Sequence, residues 1–498
     1  MSSSKSNEIT AMNYSPAADS PAHPALVTRR ELLRRGTLAT GWLAMAKWIC
    51  NGQPVPAVHT RLGGDLPFRR IQFKPRAQRM ILLFQHGGPS QLDLFDPKPL
   101  LEKYAGKPMP GGVEAFFDKQ DSSLCAPSPF KFSKHGGCGM EFSELLPHLA
   151  QCADDVCQIR SLHTLVNDHE GALRHFQTGK PRVGRPTMGA WISFALGADN
   201  ENLPPYVVLC DPTYDQVDGI RNWSSGFLPA IYQGTPLRCE GPGLFDLALP
   251  AGVSEDMQRH QLSLLQDLNR HHQRRYSHLS ELDARIANNT LAGNIRGEVT
   301  DALDVSKETA ETQSLYGMSN PATGTYSRRC LMARRLLERG VRFVALFNDS
   351  LMGDPWDTHD HHNERIRKVS ENVDQPSAAL IQDLKRRGML EDTIVLWVGE
   401  FGRLPVSQGK DGRDHNRHAF AALVAGGGFR AGLTYGATDE FGYKVAANPV
   451  AVGELHATLL RQFGLDHTRL TYPHQGRNES LTDTDITGMK PLTTLVES

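Results

Sequence analysis

A chain of 498 residues with 39% hydrophobic content can bury a sizeable core, enough for two or three domains or one large α/β domain carrying an insertion. Lysine and arginine number 54 against 55 aspartates and glutamates, a formal net charge of -1. That balance lacks the basic footprint of a nucleic-acid or anionic-membrane binder and points to a small-molecule or neutral-polymer partner.

In chain order, the first informative segment follows a Ser/Ala/Pro-rich start that runs to Val27. Thr28-Arg29-Arg30 followed by Leu32, Leu33 and Arg34 has the layout of a twin-arginine export signal, ahead of a moderately apolar stretch from Thr37 to Cys50. That stretch contains Lys47 and is shorter than the ~20 apolar residues that cross a bilayer. Residues 1–52 therefore read as the signal and leader of a protein exported to the periplasm or beyond, with no membrane span in the mature chain. A basic amphipathic helix is the alternative. The eight cysteines contain no CxxC pair, and Cys152 with Cys157 is the candidate disulfide in an oxidising compartment.

Six later runs are apolar without polar alternation: RMILLFQ (79–85), VCQIRSL (156–162), YVVLCD (206–211), VRFVALF (341–347), TIVLWVG (393–399) and FAALVAG (420–426). Such runs are strands covered on both faces, the pattern of a parallel sheet flanked by helices. Between them, YSRRCLMARRLLERG (326–340) stops at Gly340 and leads into the run at Val341, while ENVDQPSAALIQDLKRRGMLEDT (371–393) breaks at Gly388 before the next. Helix-then-strand alternation predicts a doubly wound α/β fold with a mainly parallel sheet. Residues 250–315 change character: they are charged and helical in period, with Leu262, Leu264, Leu265 and Leu268 on one side, and are expected to form a helical insertion or cap.

In an open parallel sheet, ligands bind beyond the carboxyl ends of the strands, and there the polar residues recur. His86, Gly87, Gly88 and Asp93 follow the first run, and NDHEGALRHFQTG (167–179) follows the second. GDPWDTHDHHNER (353–365) follows the run at 341–347, Glu400 and Arg403 follow 393–399, and Asp414-His415 precedes 420–426. Mixed histidine and carboxylate ligands suit Zn, Mn or Fe in sites assembled from several loops. Asp357 and His361 share a face on a helical turn; Asp357, His359 and His361 share one if the segment is extended. A solvated loop is the competing explanation. Asn167 with Glu170 makes a capping-box-like helix start, and the same start gathers amides able to hold phosphate or sulfate beside His169. Arg403 is either a surface arginine or a planar fork for an oxyanion. Asp414 beside His415 has the look of a metal ligand with the residue that orients it.

HGGPSQLDLFDPKP, SGFLPAIYQGT, CLMARRLLERGVRFV, WDTH, GEFGRLP and GRDHNRHAFAALVAGGGFRAGLTYGATDEFG together resemble the twin-arginine-exported bacterial family known as domain of unknown function 1501, over nearly all of residues 78–485. That family has no established activity and is grouped by fold with alkaline phosphatases and sulfatases, which hydrolyse phosphate or sulfate esters with one or two metal ions. The resemblance implies one alkaline phosphatase-like domain over 78–485 and one or two divalent ions, Zn, Mn, Mg or Ca. Carried over by position, it puts a DxxxH ligand pair on Asp357 and His361, a carboxylate on Glu400 and the last histidine on His415, with His86 where an aspartate usually stands. One site (Asp357, His359 or His361, His415) is thus more complete than the other (His86, Glu400). The nucleophile departs from the pattern. Counting back from Thr178-Gly179 lands near His169, with Thr164 the nearest hydroxyl, and CAPSP at Cys125 has Pro129 where the sulfatase motif CxPxR requires arginine.

The expectation is an exported metal-dependent hydrolase of phosphate, sulfate or related esters, acting on a small-molecule or glycan ester through metal-activated water or an atypical nucleophile. Thr164, His169 and Arg403 are the catalytic candidates; His86, Asp357, His359, His361, Glu400, Asp414 and His415 are the metal candidates; Asp360 and His362 are left to solvent. A catalytically silent relative that binds sulfated or phosphorylated glycans is the alternative.

Overall fold

Each of the six runs becomes a strand, and in five of them alternate residues enter opposite cores; the strand at 156–163 sends Cys157, Ile159 and Leu162 into one core and carries Gln158, Arg160 and Ser161 between them. In β1 (Arg79–Gln85), Ile81 and Leu83 face one core while Met80, Leu82 and Phe84 face the other. The same division holds in β5 (Phe343–Asn348) and β6 (Thr393–Val398). Side chains of period two that are apolar at every position leave no face for water, so helices must cover both. The computed structural model describes residues 71–116, 124–200, 202–210, 217–239, 252–275, 286, 296–348 and 355–497. The export signal expected at 28–50 lies outside the described residues.

The remaining strands of the main sheet are β2 (Val156–His163), β3 (Tyr206–Leu209), β4 (Thr235–Leu237), β7 (Phe420–Ala425), β8 (Thr434–Tyr435) and β9 (Val450–Ala451). Their order is β8-β2-β7-β6-β1-β5-β3-β4, with β9 also beside β2. β1 pairs in parallel with β5 and β6, and β3 with β5 and β4. β7 alone runs against its neighbours β6 and β2. Its start, not its end, therefore lies on the edge where the others finish, and residues just before it join the loops that follow them.

One face of the sheet is covered by α1 (His169–Thr178), α2 (Met188–Leu196) and α7 (Val452–Gln462), through residues such as Phe176, Trp191 and Leu459. The other is covered by α4 (Arg296–Leu303), α5 (Gly324–Glu338) and α6 (His362–Arg386), through Val299, Leu336 and Leu380. This is the doubly wound arrangement. Within the expected insertion, α3 (Glu255–Arg275) and α4 are helical, with a short helix at Ala310–Leu315. Of the leucines on one side of α3, Leu265 and Leu268 are exposed, while α4 buries Val299, Ala302 and Leu303. α6 starts nine positions ahead of the expected 371 and continues through Pro376. Among the described residues no helix is long and apolar enough to cross a membrane.

Candidate metal centre

Five loops meet at the carboxyl edge of the sheet, and backbone contacts fix their spacing. Gly87, just after β1, has φ +105, and a Cβ there would lie 2.5 Å from Asp357 N. Only glycine permits both the positive φ and that approach. Its N–H donates to Glu400 Oε1 at 2.9 Å, tying the loop after β1 to the one after β6. His86 O accepts from Trp356 N at 3.1 Å, tying it to the loop after β5. A two-stranded ribbon pairs Arg403 with His415 and carries the latter to the same place ahead of β7.

Four side chains converge there. Asp357 Oδ1 lies 2.8 Å from His359 Nε2, 3.3 Å from His169 Nε2 and 3.4 Å from His415 Nε2, and the His359 and His415 Nε2 atoms are 3.0 Å apart. In each imidazole the other nitrogen faces an acceptor: His169 Nδ1 meets Glu400 Oε1 at 2.6 Å, His359 Nδ1 meets Gln408 Oε1 at 2.5 Å, and His415 Nδ1 meets the Asn167 carbonyl at 2.7 Å. Such partners select the Nδ1–H tautomer and turn the basic Nε2 toward a ligand. A tetrahedral ion with bonds of about 2.0–2.2 Å holds its ligand atoms about 3.3–3.6 Å apart. The observed 2.8 to 3.4 Å separations come close to that, so the residues fit a metal ion. His86, His169 and Glu400 form a second, overlapping group. Glu400 is wholly buried, and its Oε2 has no hydrogen-bond partner among the described residues.

The two carboxylates favour a positive charge at this place, which a proton on His169 supplies and which a bound cation would supply in its stead. Burial opposes the imidazolium of His169, but hydrogen bonds to Asp357 and Glu400 prevail and raise its pKa to about 9. Burial draws His415 down to about 4, with Arg403 assisting and Asp357 opposing. Asp357 is held far below the usual carboxylate range despite burial, by the three histidines and Arg403, and Glu400 is lowered by His169 against its own burial. Both carboxylates are therefore anionic. Phe401 packs on His415 and His169 at ring-centroid distances of 4.4 and 4.8 Å, and Phe116 stacks on His415 at 5.0 Å.

Of the residues singled out from sequence, the fold brings together His86, His169, Asp357, His359, Glu400, Arg403 and His415. The others fall elsewhere. His361 is exposed, and its left-handed φ of +46 turns the chain into α6, ending the alternation that carried Asp357 and His359 to one face. Asp414 accepts from the His415 and Phe116 amides, both at 2.8 Å, and belongs to neither group. Thr164 Oγ1 lies 2.7 Å from His175 Nδ1. Arg403 is no open fork: it is fully buried, and its donors go to the Gly87, Gly88 and Arg413 carbonyls and, at 2.6 Å, to Asp357. The cap of α1 is Asp168 and not Asn167, whose carbonyl serves His415 instead. Cys152 and Cys157 are both free thiols, pushed up to about 12 by burial.

His362 is the plainest correction. Asp360 is indeed exposed, pairing with Arg365, but His362 is buried, with Nε2 at 2.9 Å from Asp93 and Nδ1 at 2.5 Å from the Thr358 hydroxyl. Gln408, Phe116 and Phe401 also went unmarked in the sequence. Only Phe401 carried a signal, its place directly after Glu400 at a strand end.

The profile of the family described as protein of unknown function (DUF1501) matches residues 77–492. No curated protein matches the chain. Solved structures similar to it include Ps i-CgsB, at 11% identity and a TM-score of 0.36 over 83% of this chain and 77% of that one. Alkaline phosphatase from the Antarctic bacterium TAB5 is similar at 11% identity and a TM-score of 0.33, over 78% and 98%. The PsFucS1 sulfatase from Pseudoalteromonas sp. is similar at 12% identity and a TM-score of 0.30, over 79% and 68%.

Proposed function

The chain belongs to the DUF1501 family, and for this member we propose an exported metal-dependent hydrolase of phosphate, sulfate or related esters. One observation carries the reading: three imidazole Nε2 atoms lie within 3.4 Å of one carboxylate oxygen, each imidazole oriented by its own acceptor. His169, Asp357, His359 and His415 would hold the ion, with Glu400, Gln408 and Asn167 fixing the rings. Three imidazoles favour Zn, Fe or another transition ion over Mg or Ca, which prefer all-oxygen shells. A bound ion of this kind lowers the pKa of water toward neutrality and polarises an ester oxygen. Arg403 keeps Asp357 aimed, and Phe401 and Phe116 pack on the His415 ring.

A second reading, binding of a phosphorylated or sulfated glycan without turnover, is favoured by one feature. Among the described residues neither group contains a cysteine thiol, and Thr164, the hydroxyl nearest His169 in sequence, faces His175 instead. A panel of aryl phosphate, sulfate and phosphonate esters separates the two. Hydrolysis that a chelator abolishes, that added metal restores and that Asp357→Ala with His415→Ala removes supports the hydrolase. Metal-dependent glycan binding with no turnover across the panel supports the second reading and sinks the first.

A further inference from the structure

We infer that the buried chain Thr358–His362–Asp93 is a positioning relay that holds the Asp357–His359 segment against His415 and so sets the affinity of the metal site; the inference rests on that site's holding an ion. Asp93 is the hub. Its Oδ2 lies 2.9 Å from His362 Nε2 and 2.8 Å from Arg413 Nε, accepts from Ser90 Oγ at 2.5 Å, and its Oδ1 lies 3.3 Å from Arg413 Nη2. A carboxylate facing an arginine accepts only, so His362 Nε2 carries the hydrogen, and in the neutral ring that burial favours Nδ1 accepts from the Thr358 hydroxyl.

Hydroxyl to imidazole to carboxylate is also the connectivity of an activated nucleophile. Burial excludes that role: Thr358 is 1% exposed and His362 2%, so no substrate reaches them. Thr358 is buried against this hub, while Asp357 and His359 on either side of it belong to the site. Its backbone is held from the same hub, since the Thr358 carbonyl accepts from Arg413 N at 3.0 Å. The Arg413 carbonyl in turn accepts from Arg403 Nη1 at 3.0 Å, and Arg403 grips Asp357. Asp93 therefore joins the loop of Asp357 and His359 to the loop of His415, two ligand sources that are 56 residues apart in sequence.

The test is the Zn affinity of the full-length protein, by chelator competition, in wild type, Thr358→Val, Thr358→Ser and Asp93→Asn. Valine keeps the shape of threonine and removes the hydroxyl; serine keeps the hydroxyl. Loss of a group that orients metal ligands costs about 10- to 100-fold in affinity, and that loss is expected for Thr358→Val and Asp93→Asn, with Thr358→Ser within about 3-fold of wild type. The Co(II) absorption spectrum should shift in the same two variants. Where Thr358→Val fails to fold, Asp93→Asn and the serine variant decide. Wild-type affinity and an unchanged Co(II) spectrum in folded Thr358→Val or Asp93→Asn overturn the relay alone. A wild type that binds no ion overturns both the relay and the proposed site.

Discussion

Arg403 shows how far a residue's role departs from its chemistry alone. A guanidinium beside a strand end reads as an oxyanion fork, yet its hydrogen bonds run to three carbonyls and to Asp357. Hydrogen bonds to a buried charge are worth about 1.5–3 kcal/mol each. Arg403→Lys, which cannot reproduce the fork, should therefore lower stability by about 3 kcal/mol or more and loosen Asp357. Chemical denaturation checks this; a fully stable Arg403→Lys with only a raised KM would restore the oxyanion role. Asp357 and His359 were readable together because i and i+2 share a face in extended chain. His361 was not separable from them, because a left-handed residue outside the glycine class leaves little trace in sequence. His362 was misread for a different reason: its burial depends on Asp93, 269 positions away.

At the scale of elements, what was legible followed from burial on both sides. Five of the six strands carry no polar alternation, and a run of that kind has few other places to go; the strand at 156–163, with Gln158 and Arg160 between apolar residues, is the exception. The start of α6 was not legible: its first turns, from His362 to Ser370, bury only His362, Ile366 and Ser370, so the apolar period emerges late. The short strands β4, β8 and β9 span two or three residues and have no pattern to detect. α1 is the element on which the site depends most, since His169 is its first residue and Asp168 caps it by accepting from Gly171 N at 2.7 Å. Loss of such a cap costs about 1 kcal/mol. Asp168→Ala should show that loss in urea melts and should also weaken metal binding, as the first turn frays and His169 with it. A variant equally destabilised but with unaltered metal affinity would detach the helix terminus from the site.

For the whole molecule, the sheet assembles one edge from distant segments, and a single reversed strand, β7, delivers His415 there from its upstream side. The apolar run at 420–426 reads the same in either direction, so the reversal was invisible in sequence. The buried histidines behind this edge predict an acid limit. His175 is lowered to about 4 and His456 to about 3, both by burial. Their native pKa values lie below the unfolded value, so their contribution is present above about pH 6.5 and is lost as pH falls toward the native values, by about 1.4 kcal/mol per pH unit for each. His456→Leu should flatten the stability–pH slope between 6.5 and 4 by close to one proton, measured by denaturant titration at several pH values. An unchanged slope would mean that His456 is not buried neutral. A metal ion held jointly by His169, Asp357, His359 and His415 is open to elemental analysis of the gently purified protein. At least one transition-metal ion per chain is expected in the wild type, with its loss in Asp357→Ala with His415→Ala. A wild type free of metal, or a double variant that keeps it, would rule this metal centre out.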